Sequence, residues 1–188
     1  MKKIRYDDCI CLTKLVDHSL IKDRILNEIK LSTHYETIKR DDEYYCDNVS
    51  RADMDLSTDS NRSWVKILMP NLSISVNEML SNMACTGFEM VCMWYHQYLK
   101  GDTYGWHIHN DQFAGIYYLE FGKSSGKTEI CSPYSLKSMK VKVQEGDIII
   151  FPAHLIHRAL PNNDERKTVV SFNFNLKSHD NLNLNLIE

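Results

Sequence analysis

The sequence predicts a mainly β protein with N-terminal helices, whose strands form an antiparallel sandwich or barrel. After Gly87 the apolar segments are short, rich in β-branched and aromatic residues, and separated by Gly, Pro, Asn or Lys-Ser. These segments follow one another closely without intervening helices, which favours antiparallel pairing over β-α-β units. Before Gly87, by contrast, apolar residues recur at helical spacing.

Bulk properties narrow the class of protein. The chain has 188 residues, which suits one compact domain, and a formal charge of −3 from interspersed acidic and basic residues. This pattern indicates neither a nucleic-acid surface nor a polybasic membrane patch. The N-terminus lacks the apolar run of a signal peptide, no apolar stretch is long enough to cross a bilayer, and six cysteines stand without CxxC pairs. We therefore expect a soluble cytoplasmic protein (in the host cytoplasm if it is viral) with reduced thiols.

Residues 1–87 are expected to form a mostly helical portion that packs on the remainder of the same domain. The segment "LVDHSLIKDRILNEIKL" has helical periodicity. Residues 40–63 are polar and lack an apolar period, which predicts a loop. Pro70 suits a first helical turn, and the helix it opens is expected to continue to about Ala84.

Residues 88–188 are expected to form the β core. Six strands are predicted, in the segments "FEMVCMWYHQYL", "FAGIYYLEF", "KTEICSP", "MKVKVQ", "GDIIIFP" and "RKTVVSFNFNL". The turn "QEGD" separates the fourth of these from the fifth.

Potential metal ligands are concentrated in "GWHIHND", directly before the second predicted strand. If this segment is extended, His107, His109 and Asp111 project from the same face. His157, after "GDIIIFPAHLI", offers a ligand from a distant part of the chain. Two histidines and one carboxylate can form the facial triad of non-haem iron oxygenases, which leaves coordination positions open for ligands. The alternative is that these histidines are ordinary polar residues at strand ends.

The run "GWHIHNDQFAGIYYLEF…KTEICSP…VQEGDIIIFPAHLIHRALPNNDERKTVVSFNF" resembles the catalytic core of 2-oxoglutarate- and Fe(II)-dependent dioxygenases. The likeness is greatest to prolyl-4-hydroxylase-like members and to small bacterial and phage relatives, and it covers about residues 88–176. It implies a double-stranded β-helix, or jelly roll, core. It also implies an HxD pair after the second core strand, a distal histidine, and a basic residue that binds the far carboxylate of 2-oxoglutarate.

The resemblance leaves two assignments open. Arg166 lies nine residues after His157 and has the planar fork that suits a carboxylate, but Lys167 is an alternative of opposite strand parity. We favour Arg166. Tyr118 matches the tyrosine whose hydroxyl contacts the co-substrate, with a buried core tyrosine as the alternative. Trp94, Tyr95 and Trp106 are expected to be packing or pocket-wall residues.

The identity of the two metal ligands that lie close together in the sequence is also undecided, because the sequence satisfies both HxD and HxH. We favour His109, Asp111 and His157 as ligands, with His107 close by, because a carboxylate offsets part of the charge on the metal. The HxH alternative makes His107 and His109 the pair and leaves Asp111 to orient a ligand.

The resemblance implies a hydroxylase that uses Fe(II), 2-oxoglutarate and O2 and releases succinate and CO2, with a small-molecule or peptide substrate that the sequence does not identify. Two rival hypotheses are a cupin-like metalloenzyme with three histidine ligands that does not use 2-oxoglutarate, and a non-catalytic binding barrel. The sequence does not indicate the oligomeric state.

Overall fold

The computed structural model describes residues 10–42, 46–81, 87–135, 137–164 and 166–177, which form two antiparallel β-sheets and two α-helices. The large sheet has seven strands in the order β1-β9-β6-β11-β4-β3-β2, and the small sheet has four in the order β5-β10-β7-β8. The strands are β1 (Cys11–Lys14), β2 (Glu36–Asp41), β3 (Cys46–Ala52), β4 (Gly87–Leu99), β5 (Tyr104–His107), β6 (Phe113–Glu120), β7 (Thr128–Cys131), β8 (Ser138–Lys140), β9 (Asp147–Pro152), β10 (Ile156–Ala159) and β11 (Arg166–Lys177). The prediction of a mainly β fold with N-terminal helices is confirmed.

The large sheet is buried on both faces, because side chains alternate along its central strands. Tyr95, Tyr117 and Phe172 belong to one cluster, which packs against the two helices. Tyr98 and Tyr118 belong to a second cluster, which lies between the two sheets. Strands β4 and β11 pair over their whole lengths, so their inward side chains form one continuous wall facing the small sheet.

The helices α1 (His18–Leu31) and α2 (Ser63–Leu80) cover the outer face of the large sheet. Helix α2 begins seven residues before Pro70, so the prediction that Pro70 opens the helix is wrong. Proline there removes one intrahelical hydrogen bond, but the helix buries Trp64, Leu68 and Leu72 almost completely. This apolar burial outweighs the local preference. Ala84, the predicted helix end, lies outside the described residues.

The N-terminal third contains more strand than its sequence indicates. Strand β1 pairs with β9, and β2 and β3 extend the large sheet beyond β4. Consequently, the prediction that residues 40–63 form a loop is wrong for β3, for the last two residues of β2 and for a short 3-10 helix at Met54–Leu56. The N-terminal portion is therefore part of the sheet as well as a helical layer. Neither described helix is long and apolar enough to span a membrane.

Candidate metal centre and its pocket

Three histidines converge where the small sheet meets the pocket. His107 ends β5 and is the register partner of His157 on β10, so the pairing of two short strands brings these imidazoles together. His109 follows two residues later, where its backbone N–H donates to the carbonyl of Ala153 at 3.0 Å. One nitrogen from each ring lies within 4.8 Å of the others, and the Nε2 atoms of His109 and His157 are 3.2 Å apart.

Backbone carbonyls fix the orientation of two of these rings. The Nδ1 atom of His107 lies 2.8 Å from the carbonyl oxygen of Gly105, and that of His157 lies 2.9 Å from the carbonyl oxygen of Leu155. With Nδ1 donating its proton to a carbonyl, the Nε2 lone pair of each ring is left for the cluster. Metal-binding histidines commonly have such an arrangement.

Burial keeps the three imidazoles neutral. It lowers the pKa of His157 well below its ordinary value and that of His109 to about 4, and the neighbouring His107 adds to both shifts. The pKa of His107 is also lowered, chiefly by burial. Because neutral imidazole is the metal-binding form, the cluster is ready to coordinate a cation at neutral pH.

Asp111 lies outside this group. Its Oδ2 atom accepts a hydrogen bond of 2.9 Å from the Nδ2 atom of Asn173 on β11. Among the described residues, the side chains close enough together to hold a metal ion are those of His107, His109 and His157. The structure therefore brings His107, rather than Asp111, together with His109 and His157, and β5 ends at His107.

The cluster opens into a pocket of about 250 Å³ between the two sheets. Its walls come from β4, β11 and the small sheet, with Met54, Ile108 and Arg40 also lining it. The described lining residues include three cationic side chains and no aspartate or glutamate. The lining residues from β4, β11 and the small sheet include Trp94, His96, Tyr98, Tyr104, Thr128, Arg158, Lys167, Val169 and Ser171.

Lys167, and not Arg166, faces this pocket. Lys167 is 2% exposed and lines the pocket together with Val169 and Ser171, its neighbours of equal parity on β11. Arg166 points outward and forms a bidentate ion pair with Glu120, with N–O distances of 2.7 and 2.8 Å. The expectation that Arg166 faces the pocket is therefore wrong, and Lys167, the alternative of opposite strand parity, faces it.

The contacts that the structure shows for the buried ammonium group of Lys167 are uncharged. It donates to the carbonyl of Gly126 at 2.9 Å and lies 4.0 Å from the ring centroid of Tyr98. Among the described residues it has no ion-pair partner, and Asp102 acts on it only through longer-range attraction. Burial lowers the pKa of Lys167 to about 7. Such a cation has a strong electrostatic preference for an anion that enters the pocket.

The other predicted residues occupy the wall and its surroundings. The hydroxyl of Tyr118 is 2.7 Å from the Oγ1 atom of Thr128, whose side chain lines the pocket. Trp94 lines the pocket and packs against His109 at a ring distance of 5.7 Å, whereas Tyr95 lies in the cluster beneath the helices. Trp106 is 40% exposed, and the guanidinium of Arg158 lies over its ring.

Sequence reasoning missed His96, Tyr98 and Thr128 as pocket residues. His96 and Tyr98 share strand parity with Trp94, so the alternation of β4 could have identified them once its inward face was known. Thr128 carries no such signal, because β7 has only four residues.

Similar folds occur among solved structures. An oxidoreductase of the 2OG-Fe(II) oxygenase family from Burkholderia pseudomallei superimposes with a TM-score of 0.67 at 12% identity, over 88% of this chain and 84% of that one. A Trichoplax adhaerens prolyl hydroxylase, solved with a hypoxia inducible factor peptide fragment, gives 0.62 at 16% identity over 88% and 83%. The viral collagen prolyl hydroxylase of Paramecium Bursaria Chlorella virus-1, a 2OG complex, gives 0.56 at 12% identity over 90% and 96%.

No family model matches the chain, and no curated protein is similar to it in sequence. Identities of this size establish a common fold and nothing finer, because one fold supports many functions. The two antiparallel sheets and the alignment over most of both chains nevertheless agree with the predicted jelly roll. The chain therefore has the double-stranded β-helix fold of the 2OG-Fe(II) oxygenases, and the resemblance seen in its sequence is confirmed at the level of the fold.

Proposed function

We propose that this protein is an Fe(II)- and 2-oxoglutarate-dependent dioxygenase that hydroxylates a C–H bond of a small-molecule or peptide substrate. The observation that carries this proposal is the pairing of two features in one pocket. One is a cluster of three neutral imidazoles, and the other is the buried cation of Lys167, which has no ion-pair partner in the described chain. A ligand that chelates a metal at one end and presents a carboxylate at the other fits both.

The donor set suits a divalent transition metal. Two nitrogens about 2.1 Å from one ion, at angles of roughly 90–109°, are about 3.0–3.4 Å apart. The Nε2 atoms of His109 and His157 are separated by 3.2 Å, so they fit one ion without rearrangement. Neutral imidazole is a common ligand of iron, and three protein ligands leave positions open for a chelating ligand. We assign His107, His109 and His157 as the metal ligands, and Asp111 with its partner Asn173 as a neighbour of the site.

The part of the pocket lined by Lys167 suits the far carboxylate of 2-oxoglutarate. The ammonium of Lys167 can form a charge-assisted hydrogen bond to that group. The hydroxyl groups of Thr128 and Tyr118 are hydrogen-bonded to each other. Because only one of the two protons is used in that bond, the other hydroxyl can donate a hydrogen bond to a ligand. Arg166 points away and is already paired with Glu120, so we assign Lys167 as the carboxylate anchor and Tyr118 as a contributor through Thr128.

The chain's own contribution is binding, orientation and exclusion of water. A bound Fe(II) supplies the oxidation chemistry, in which O2 and 2-oxoglutarate are converted to succinate and CO2 and one oxygen atom enters the substrate C–H bond. Lys167 fixes one end of the co-substrate, while Trp94 and Tyr104 form apolar walls that shield the pocket. Ile108, Arg40 and Arg158 also line the pocket, and the substrate is expected to contact them. The peptide bound to the Trichoplax enzyme supports a peptide as one class of substrate.

Anaerobic titration of the apoprotein with Fe(II), and then with 2-oxoglutarate, tests the proposal. We expect one equivalent of metal to bind, and a weak visible charge-transfer band to develop only when both are present. Admission of O2 should then produce succinate slowly, even without substrate. Lys167→Met is the matched variant, because it should retain the metal and lose the band at the same 2-oxoglutarate concentration.

The failures are equally informative. Metal binding without any effect of 2-oxoglutarate on wild-type protein would point to the three-histidine metalloenzyme that does not use this co-substrate. Absence of metal binding would point to a non-catalytic barrel. The buried cation of Lys167, which has no ion-pair partner among the described residues, is the feature that favours the 2-oxoglutarate-dependent enzyme over both.

A further inference from the structure

His96 is a fourth pocket histidine that the metal cluster does not use. It lies on β4, is 4% exposed and lines the pocket. Its Nδ1 atom is 3.2 Å from the hydroxyl of Tyr98, but its Nε2 atom is buried without a hydrogen-bond partner in the described chain. Because buried polar atoms are almost always paired in folded proteins, an orphan nitrogen in a pocket wall is a candidate contact for a molecule that binds in the pocket.

The hydrogen bond to Tyr98 determines which partner His96 requires. The buried Tyr98 hydroxyl, whose pKa burial raises, keeps its proton and makes no other hydrogen bond among the described residues. Because a buried hydroxyl needs an acceptor, it donates its proton to Nδ1. A neutral imidazole that accepts at Nδ1 carries its own proton at Nε2. The orphan atom is therefore a donor, and its missing partner is an acceptor such as a carboxylate oxygen.

None of the described lining residues supplies an acceptor that reaches this atom. The lining residues include no aspartate or glutamate, and the neighbouring orphan on β4, the Nε1 atom of Trp94, is also a donor. Ring contacts connect His96 to both ends of the proposed site. Tyr98 lies against His96 and against the Lys167 ammonium, and Tyr104 contacts both His96 and His107. A ligand that bridges Lys167 and the metal cluster can therefore reach the His96 ring.

We propose that the Nε2–H group of His96 donates a hydrogen bond to bound 2-oxoglutarate, which makes His96 a co-substrate-positioning residue. This inference rests on the proposed function. Tyr98 acts through His96 by holding the ring in the donor tautomer, and its own ring also contacts the Lys167 ammonium. One tyrosine therefore orients both co-substrate contacts.

The test is calorimetric titration of 2-oxoglutarate into protein loaded anaerobically with Fe(II). His96→Phe keeps an aromatic ring but removes the donor, and we expect it to weaken 2-oxoglutarate binding about tenfold to a hundredfold. His96→Gln retains a donor near the Nε2 position and should recover part of the affinity. Metal stoichiometry should be unchanged in both, because His96 does not belong to the cluster.

A matched control exists on the other side of the large sheet. The Nδ1 atom of His18 is 2.6 Å from the hydroxyl of Tyr117, which makes a second histidine–tyrosine pair remote from the pocket lining. His18→Phe should cost stability without changing 2-oxoglutarate affinity. A loss of affinity in this control equal to that of His96→Phe would show that the effect is structural and would overturn the inference.

Imidazole ¹⁵N spectra of the Zn(II)-loaded wild-type protein give a second measurement, which stays decisive even if His96→Phe does not fold. Addition of 2-oxoglutarate should shift the protonated Nε2 resonance that is missing from His96→Gln. An unshifted resonance on saturation, or unchanged affinity in His96→Phe, would overturn the role of His96 while leaving the proposed function intact. If wild-type protein does not bind 2-oxoglutarate at all, the proposed function fails and this inference fails with it.

Discussion

Replacing Lys167 with methionine should weaken 2-oxoglutarate binding and stabilise the ligand-free protein, because the buried charge favours the first and opposes the second. A methionine side chain at this position would fill a similar volume without the ammonium group. Loss of a charge-assisted hydrogen bond to a carboxylate costs about 1.5–3 kcal/mol, which weakens 2-oxoglutarate binding roughly tenfold to a hundredfold. The exposed neighbour Lys127 provides the control, and Lys127→Met should bind as wild type does.

The same change should stabilise the protein when no ligand is bound. Burial lowers the pKa of Lys167 from an ordinary 10.5 to about 7. Since one pKa unit corresponds to about 1.4 kcal/mol, the charged form is disfavoured on folding by on the order of 5 kcal/mol at neutral pH and below. Methionine forfeits the contacts of the ammonium with Gly126 and Tyr98, which offsets part of this gain. We expect a net stabilisation of about 2–3 kcal/mol at pH 7.

The pH dependence follows from the direction of the shift. Between pH 7 and 10.5 the unfolded chain binds more protons at Lys167 than the folded chain does, so wild-type stability should rise with pH across this window. Urea unfolding at pH 7 and pH 9.5 should show the advantage of Lys167→Met shrinking at the higher pH. A variant that is less stable than wild type at pH 7, with unchanged 2-oxoglutarate affinity, would refute the assignment of Lys167 as a desolvated anchor.

Four further substitutions test which residues bind the metal and which basic residue binds 2-oxoglutarate. His157→Ala should lose stoichiometric iron while the fold survives, and tight metal binding by this variant, measured by metal analysis, would contradict the cluster. Asp111→Ala should retain most of its iron whereas His107→Ala should lose it, and the opposite result would restore the HxD ligand set. Arg166→Ala should leave 2-oxoglutarate affinity unchanged and cost at most about 1 kcal/mol, because its ion pair with Glu120 is partly exposed; a tenfold weaker binding curve would count against Lys167.

The sequence predicts the positions of core strands well where a β-rich composition is bounded by clear turn residues. The strands β4, β6, β9 and β11 are long or strongly apolar, and each begins or ends near its predicted position. The short strands β5 and β10 escaped prediction because four residues cannot display a period. Strands β2 and β3 escaped it because they extend the sheet toward its edge with largely polar side chains.

The neighbourhood of the site was predictable, but its detailed geometry was not. Alternation along an extended segment correctly groups His107 with His109, and the distal histidine joins them. The choice between HxH and HxD depends on where β5 stops, and that end is set by the pairing of His107 with His157. The choice between Arg166 and Lys167 depends on the absolute parity of β11, which the sequence does not fix. Between Thr168 and Val170 the extra residue lies on β6, so Lys167, Val169 and Ser171 alternate on the pocket side of β11 without interruption.

The departure of Asp111 from the cluster has an electrostatic consequence for co-substrate binding. Three neutral imidazoles leave the full double positive charge of Fe(II) uncompensated, whereas a carboxylate ligand would reduce it by one. The cation of Lys167 adds a further positive charge in the same pocket, and the described lining residues include no carboxylate to oppose it. With Fe(II) bound as proposed, the pocket would therefore be strongly positive before 2-oxoglutarate enters, and the two negative charges of 2-oxoglutarate would offset most of that excess. Restoring a carboxylate through His109→Asp should consequently weaken 2-oxoglutarate binding even where the metal is retained, and tighter binding by that variant would show that local charge does not govern this step.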